Sequence, residues 1–306
     1  MVDENGRIHT SLNVNTETGR LSSRRPNLQN QPALEKDRYK IRDAFTCDEG
    51  NMLIVADYGQ LELRLLAHTT KCKSMIEAFE QGGDFHSRTA IGMYPEIKEA
   101  VDKGEVLLEW DFSKGPPPVP LLKEKFAQQR KHAKTLNFSI AYGKTAVGLA
   151  KDWGVDVNEA TKIVDLWYKD RPEVRLWQNE TIEKARMTEE TRTLLGRYRR
   201  LPYNSSGHKG MKGHYDRAAI NTPLQGGAAD VVCSAMVKLR NCLRLNELGW
   251  RQVLQIHDEI ILEGPEESTQ EALKLVTEIM QHPLDEPLLV ALDISVQAAK
   301  TWYGAK

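Results

Sequence analysis

The sequence predicts an α+β fold, an antiparallel sheet with a helical subdomain inserted between its strand-bearing segments. Leu53–Ala56 is an aliphatic run that reads as a short buried strand. Val253–Glu263, VLQIHDEIILE, sets two short apolar runs on either side of His257-Asp258-Glu259, which reads as a hairpin with the acids at its tip. Between these segments lie Leu121–Tyr142, Asn158–Lys169 and Glu173–Met187, all with helical patterning.

In chain order, Arg7–Val14 reads as a strand and Thr16–Pro32, rich in turn formers, as a loop. After Leu53–Ala56 the run breaks into Asp57-Tyr58-Gly59, and Leu61, Leu65, Leu66 and His68 then fall on helical spacing. A carboxylate therefore sits where a buried strand hands over to a helix. Ionised, it is costly there unless something positive meets it. Taken alone, Asp57 is as well explained as a helix N-cap. The second acidic stretch changes the balance, because an ordinary turn draws on Gly, Asn or Pro and His257-Asp258-Glu259 has none. Two acid-bearing strand ends in one sheet offer oxygen ligands suited to magnesium or manganese.

Ser74–Glu80 and Asp84–Tyr94 read as helices, and Pro116-Pro117-Pro118 marks 95–120 as an extended surface insert. Leu121–Tyr142 is expected as one long helix. At ~100° per residue, Arg130, Lys134, Phe138 and Tyr142 step round by only ~40° each and share a face over roughly 18 Å. Two cations followed by two aromatics suit a nucleotide, with charge for phosphates and rings for sugar and base. An amphipathic helix would instead segregate cations from rings. Thr191–Gly213 is basic and turn-rich, and Tyr215–Leu248 is helical with a break near Thr222-Pro223. Arg217, Asn221 and Gln225, four apart, line one face. Pro265–His282 is an amphipathic helix and Leu289–Val296 a last strand.

The chain of 306 residues is long enough for a real core and two subdomains. Its net charge is −1, from 42 basic and 43 acidic residues, but the basic residues cluster at 121–144 and 192–217. Basic faces on a neutral protein suit phosphate contacts, although single lysines are ordinarily solvated surface. Cys47, Cys72, Cys233 and Cys242 have no metal-ligand or redox spacing and read as thiols of a reducing compartment. No apolar run is long enough to cross a membrane, and MVDENGRIHT reads as neither a signal nor a transit peptide.

The segments around Asp57 and Asp258 resemble motifs A and C of the family A DNA polymerases, the bacterial polymerase I type. Arg130–Gly143 matches the motif B pattern R-x3-K-x3-F-x3-YG. The likeness covers nearly all of the chain and is greatest to the plant organellar members. It implies a right-hand polymerase palm at 1–71 and 213–306 with fingers at 72–212. The thumb and the exonuclease domain are expected to lie outside these residues, which makes this a C-terminal portion. It also implies template-directed addition of deoxynucleoside triphosphates to a primer–template DNA, in DNA replication and repair in plastid or mitochondrion, alongside accessory replication proteins.

By the same resemblance, Asp57, Asp258 and the Tyr58 carbonyl hold two Mg²⁺ ions, Mn²⁺ being an alternative, and Glu259 stands behind them. Arg130, Lys134 and His86 neutralise triphosphate charge, and Lys134 protonates the leaving pyrophosphate. Phe138, Tyr142 and Gln60 line the nucleotide, and Glu62 excludes ribonucleotides. Arg20, Arg217, Asn221, Gln225 and His257 bind the primer–template. The family's usual Ser is Gly59 here, and the usual Thr after Gln-Gly is Gly227. Two rivals stand beside this reading: a single-subunit RNA polymerase, which shares the aspartates and the R…K…YG helix while Glu62 and Glu259 speak for the DNA enzyme, and an inactive nucleic-acid-binding remnant.

Overall fold

A computed structural model describes residues 2–32, 37–82, 84–110, 114–204 and 209–305. The chain opens with two short strands, β1 (Ser11–Asn13) and β2 (Ser22–Arg24), followed by β3 (Asn51–Tyr58). Helices α1 (Leu61–Thr70), α2 (Lys73–Glu80), α3 (Phe85–Met93) and α4 (Pro95–Asp102) come next. Then follow α5 (Leu122–Lys125), α6 (Ala127–Ala141), α7 (Ala146–Trp153), α8 (Val157–Asp170) and α9 (Pro172–Thr188). Two short strands, β4 (Glu190–Arg192) and β5 (Tyr198–Arg200), precede α10 (Lys209–Asn221). A π-turn at Thr222–Gly226 leads into α11 (Gly227–Asn241) and α12 (Leu243–Glu247). The chain closes with β6 (Arg251–Ile256), β7 (Glu259–Pro265), α13 (Thr269–Gln281) and β8 (Ile294–Ala299).

It divides into two compact units. The first comprises residues 1–62, 192–199 and 225–306, and the second residues 63–191 and 200–224.

The first unit is built on a four-stranded antiparallel sheet in the order β6-β7-β3-β8. Alternation along β3 sends Ile54, Ala56 and Tyr58 to one face and Leu53, Val55 and Asp57 to the other. The Tyr58 hydroxyl donates to the Met280 carbonyl of α13 (2.9 Å), so that face packs on a helix. Leu53 and Val55 join Ile256, Ile261, Trp302 and Ala305 in a core on the opposite face. Asp57 is therefore the last residue on the Trp302 side of its strand, and it pairs with Glu259 across the ladder.

The second unit is helical. Buried Ala133, Leu136, Asn137, Ile140 and Ala141 seat α6, which packs on α3. Gly143 ends this helix at φ +69°, and a Cβ there would stand 2.3 Å from Ile220 Cδ1. Only glycine lets the end of α6 lie so close to α10 in that conformation.

Several expectations need correcting. Ser22–Arg24 is a strand inside the expected loop; it pairs with Ser11–Asn13 through polar residues that carry no apolar alternation. β3 runs through Asp57 and Tyr58 rather than stopping at Ala56, because paired backbone carries the strand past its apolar residues. The 95–120 insert is not simply extended. Pro95 starts α4 at the position where its missing N–H costs nothing, and Ile97, Ala100 and Val106 pack with Leu122 and Ala133. Residues 111–113 of the insert lie outside the described residues, as do 205–208 of the basic segment. The expected long helix is two helices broken at Phe126 (φ −118°, ψ 42°), whose side chain packs against the same apolar cluster. The last strand is Ile294–Ala299, since the more apolar Val290 and Leu292 are buried as irregular chain.

Arg7 grips the buried Glu263 at the far end of β7 through Nη1–Oε2 (2.7 Å) and Nη2–Oε1 (3.0 Å). Arg7→Ala leaves that carboxylate short of its charged partner. Urea unfolding of the variant should show a loss of about 1–3 kcal/mol; an unchanged midpoint would refute the clamp.

Candidate active site

In the first unit the two acidic strand ends meet. The Tyr58 N–H donates to the Asp258 carbonyl (3.1 Å), which fixes the end of β3 against the β6–β7 turn. That turn is only His257-Asp258, and His257 occupies it at φ +52°. Gln60, in the link from β3 to α1, is also left-handed at φ +55°. Non-glycine residues in this region are uncommon and carry strain, and both sit within three residues of an acid. Gly59 donates its N–H to the Asp293 carbonyl (2.8 Å), and a Cβ would stand 3.1 Å from the Asp293 carboxylate. The glycine at this position thus suits a close backbone approach.

Asp258 is the electrostatic centre of the group. Burial pushes its carboxyl up to about 6; the Arg20 guanidinium opposes the shift, while the Glu62 and Asp57 charges add to it. Its Oδ1 is buried with no hydrogen-bond partner. Arg20 Nη2 stands 3.5 Å from that oxygen and makes a 2.7 Å hydrogen bond to Glu62. Glu259 accepts a bond from the Trp302 indole N–H (2.8 Å), and the Arg42 guanidinium lies 4.3 Å over the Trp302 ring. Sequence reading missed Trp302, whose partner Glu259 lies 43 positions earlier. An indole close to the chain end has no local signal for such a role.

The second unit carries the cation–aromatic stripe on α6. Lys134 is exposed, and Arg130, Phe138 and Tyr142 are half-buried. The rings therefore share the outer stripe with the cations rather than retreating inside. Phe138 and Tyr142 stack with centroids 6.2 Å apart, and the His86 ring lies 5.5 Å from Phe138. Arg130 Nε donates to Asp84 (2.5 Å), which also caps α3 through the Ser87 N–H (3.0 Å). Burial works to raise the Asp84 carboxyl, but its hydrogen bonds to Arg130 and Ser87 overcome this and hold it below its ordinary value.

Sequence reading also missed Asn137. This fully buried residue donates to His86 Nδ1 (3.1 Å), while its Oδ1 accepts from the Trp167 indole (2.8 Å). A ring nitrogen that accepts cannot carry a proton, so this contact belongs to neutral imidazole. Consistently, burial lowers His86 to about 4; Asp84 opposes the shift and Arg130 and Lys134 add to it.

On α10, Arg217 is exposed and Asn221 Oδ1 is buried without a hydrogen-bond partner. Gln225 follows in the π-turn. The wider turn means that a spacing of four no longer returns to the same face, which changes the simple alignment expected of the three residues. Among the described residues no three His, Cys, Asp or Glu side chains cluster as a metal site, and no helix is long and apolar enough to cross a membrane.

Residues 1–105 and 119–304 match the family model described as DNA polymerase family A. The chain is 58% identical over 307 residues to DNA polymerase I A, chloroplastic/mitochondrial, of Arabidopsis thaliana, covering 99% of this chain and 29% of that relative. It is 59% identical over 305 residues to DNA polymerase I A, chloroplastic, of Oryza sativa subsp. japonica, covering 98% and 30% respectively. DNA polymerase I, thermostable, of Thermus aquaticus is 37% identical over 302 residues, 98% of this chain and 33% of its own length. The chain thus spans about a third or less of these relatives. Among solved structures, the POL domain of Pol1 from M. smegmatis, in complex with DNA primer-template and dNTP, matches with a TM-score of 0.83 at 34% identity. That match covers 99% of this chain and 49% of the other.

His86 takes up a proton near pH 6.5 when unfolded but only near 4 when folded, so the unfolded state binds more protons in between. The stability that the neutral His86 contributes is complete above about pH 6.5 and is lost as pH drops toward 4, by up to about 3 kcal/mol. Unfolding of His86→Gln followed across this range should show a flatter profile; a profile as steep as the parent's would contradict the buried neutral ring.

Proposed function

Because the chain belongs to DNA polymerase family A, we propose that it carries the nucleotide-adding machinery of a template-directed DNA polymerase. The substrates are deoxynucleoside triphosphates and the 3′-OH of a primer on template DNA. The names of its plant relatives support a setting in plastid or mitochondrion, in organellar replication and repair, with accessory replication proteins as further partners. The first unit is assigned to the palm and the second to the fingers, close to the expected 1–71, 213–306 and 72–212.

One observation carries the reading: a buried Asp258 oxygen without a hydrogen-bond partner, on a strand end joined to that of Asp57. Family A polymerases depend on divalent metal, and this donor set fits one. The acceptors are hard carboxylate oxygens, burial and then the Glu62 and Asp57 charges raise Asp258, and an unmet acceptor awaits a cation. Asp57, Asp258 and the Tyr58 carbonyl would hold two Mg²⁺ ions, or Mn²⁺ in their place. When bound, the metal supplies Lewis-acid activation of the primer hydroxyl and charge neutralisation at the leaving group.

The remaining work falls to this chain's residues. Glu259, tied to Trp302, keeps the strand end opposite Asp57 rigid. Arg130, anchored by Asp84, and Lys134 meet triphosphate charge as it redistributes. Lys134 delivers a proton to the departing pyrophosphate. His86 acts as a neutral hydrogen-bond donor through Nε2, since Nδ1 is occupied as an acceptor. Phe138, Tyr142 and Gln60 bound the nucleotide, and Glu62 excludes a 2′-OH. Arg20, His257, Arg217, Asn221 and Gln225 contact the primer–template. Arg20 does so in the minor groove, where the acceptors are nearly the same for every base pair.

Asp57→Asn and Asp258→Asn should each lower primer extension roughly a hundredfold or more, with DNA binding by gel shift nearly intact. Near-normal extension by Asp258→Asn would sink the metal assignment. Phe138→Tyr supplies a hydroxyl where a dideoxynucleotide lacks its 3′-OH. Dideoxynucleotide incorporation relative to deoxynucleotide should then rise strongly; an unchanged ratio would remove Phe138 from the nucleotide pocket.

A further inference from the structure

Arg20 is built into the acidic group more deeply than a residue that only touches DNA would need. Its loop is fixed from below. Gly19 adopts φ +79°, and a Cβ there would lie 2.3 Å from each of Cζ, Nη1 and Nη2 of Arg197, so that guanidinium lies flat against the glycine. Arg197 is itself held by Asp230 Oδ1 (2.8 Å) and the Gly226 carbonyl (3.3 Å). The Arg20 carbonyl accepts from the Thr16 hydroxyl (2.7 Å), which closes the turn.

From this support the Arg20 side chain presents two donors, one engaged and one not. Nη2 holds the Glu62 carboxylate at 2.7 Å, and Glu62 is only 3% exposed. Nε is buried with no hydrogen-bond partner. A buried carboxylate depends strongly on its charged partner, because losing one leaves the other desolvated and unmatched. A guanidinium also has the fork geometry to fix a carboxylate in orientation as well as in charge. The position of Glu62 is thus set in part by a residue 42 positions earlier in the chain.

We propose that Arg20 is a specificity-determining positioning residue: by holding Glu62 it fixes the group that excludes ribonucleotides. The inference rests on the reading of Glu62 as that group. The Nε–H lies on the same edge of the guanidinium as Nη2 and is a further donor without a hydrogen-bond partner.

The test is single-nucleotide primer extension by the full chain, comparing kcat/KM for a deoxynucleotide and the matching ribonucleotide. Because both substrates meet the same folded fraction, their ratio is insensitive to a general loss of stability. Arg20→Ala should lower the deoxy/ribo ratio about tenfold, and Arg20→Lys should recover part of it. Arg20→Ala combined with Glu62→Ala should be no more permissive than Glu62→Ala alone, as expected of two residues acting through one interaction. An Arg20→Ala variant that loses both activities equally, while Glu62→Ala alters the ratio, would overturn the inference and leave the role of Glu62 standing. A Glu62→Ala variant with the parent's ratio would remove the gate and the inference with it. A folded chain that adds neither nucleotide would overturn the polymerase reading and this inference together.

Discussion

The structure of the first unit depends on keeping ionisable carboxylates at the buried end of an apolar sheet. Such groups are expensive to desolvate, and the fold does not hide that cost. Asp258 is raised to about 6 chiefly by burial, with one oxygen left unmatched. The strands that hold it must be rigid, because the Arg20 charge offsets only part of the cost of burial and of the neighbouring acids. The antiparallel ladder from Asn51–Pro265 to Asp57–Glu259 supplies that rigidity, with apolar packing on both faces. Strained His257 and Gln60 backbone is tolerated for the same reason: the neighbouring pairing leaves little alternative.

The second unit solves a different problem, that of exposing charge and rings together on one helix. Water-facing aromatics are costly unless something holds them in place. Here Phe138 lies between Tyr142 and the His86 ring, and His86 is locked by Asn137. The same amide accepts from Trp167, so one buried side chain couples α3, α6 and α8. Arg130 is likewise tied to the N-cap of α3 through Asp84. The stripe is therefore ordered from beneath by polar groups that never reach solvent themselves. A satisfied buried network of this kind specifies one arrangement more sharply than apolar packing alone.

Much of this was legible in the residues. The acids stood out because apolar runs flanked them, and the α6 stripe because four residues fell on one helical face. What stayed hidden was long-range or lacked a periodic signal. Ser22–Arg24 pairs through polar residues, and β8 is half-exposed, so neither shows the alternation that marks a strand. The break at Phe126 lies in a sequence with no Pro or Gly to announce it; tertiary packing decides it. Trp302, Asn137 and Arg197 act through hydrogen-bond partners between 29 and 51 positions away. No local pattern encodes such pairings, and a lone Trp, Asn or Arg is ordinarily core or surface. The π-turn after Asn221 was visible only as a Thr-Pro interruption, and its effect on Gln225 needed the backbone.

Strand β7 shows how one element serves stability at one end and chemistry at the other. At its far end Glu263 is nearly buried, yet each oxygen is met, by the Arg7 fork, the Asp48 N–H (2.9 Å) and Asn51 Nδ2 (3.1 Å). Burial works to raise that carboxyl, and these bonds overcome it and lower it instead. Just before its near end, five residues away, Asp258 is half-buried, but the cation that faces it among the described residues is Arg20 at 3.5 Å, and that arginine is already engaged by Glu62. The same residue class, in the same sheet, thus ends with its affinity for protons shifted in opposite directions. The difference lies in whether the fold supplies donors. Where it does, the acid binds the N-terminal segment to the sheet; where it withholds them, the acid is left with a strong demand for positive charge, which is what binding a cation requires.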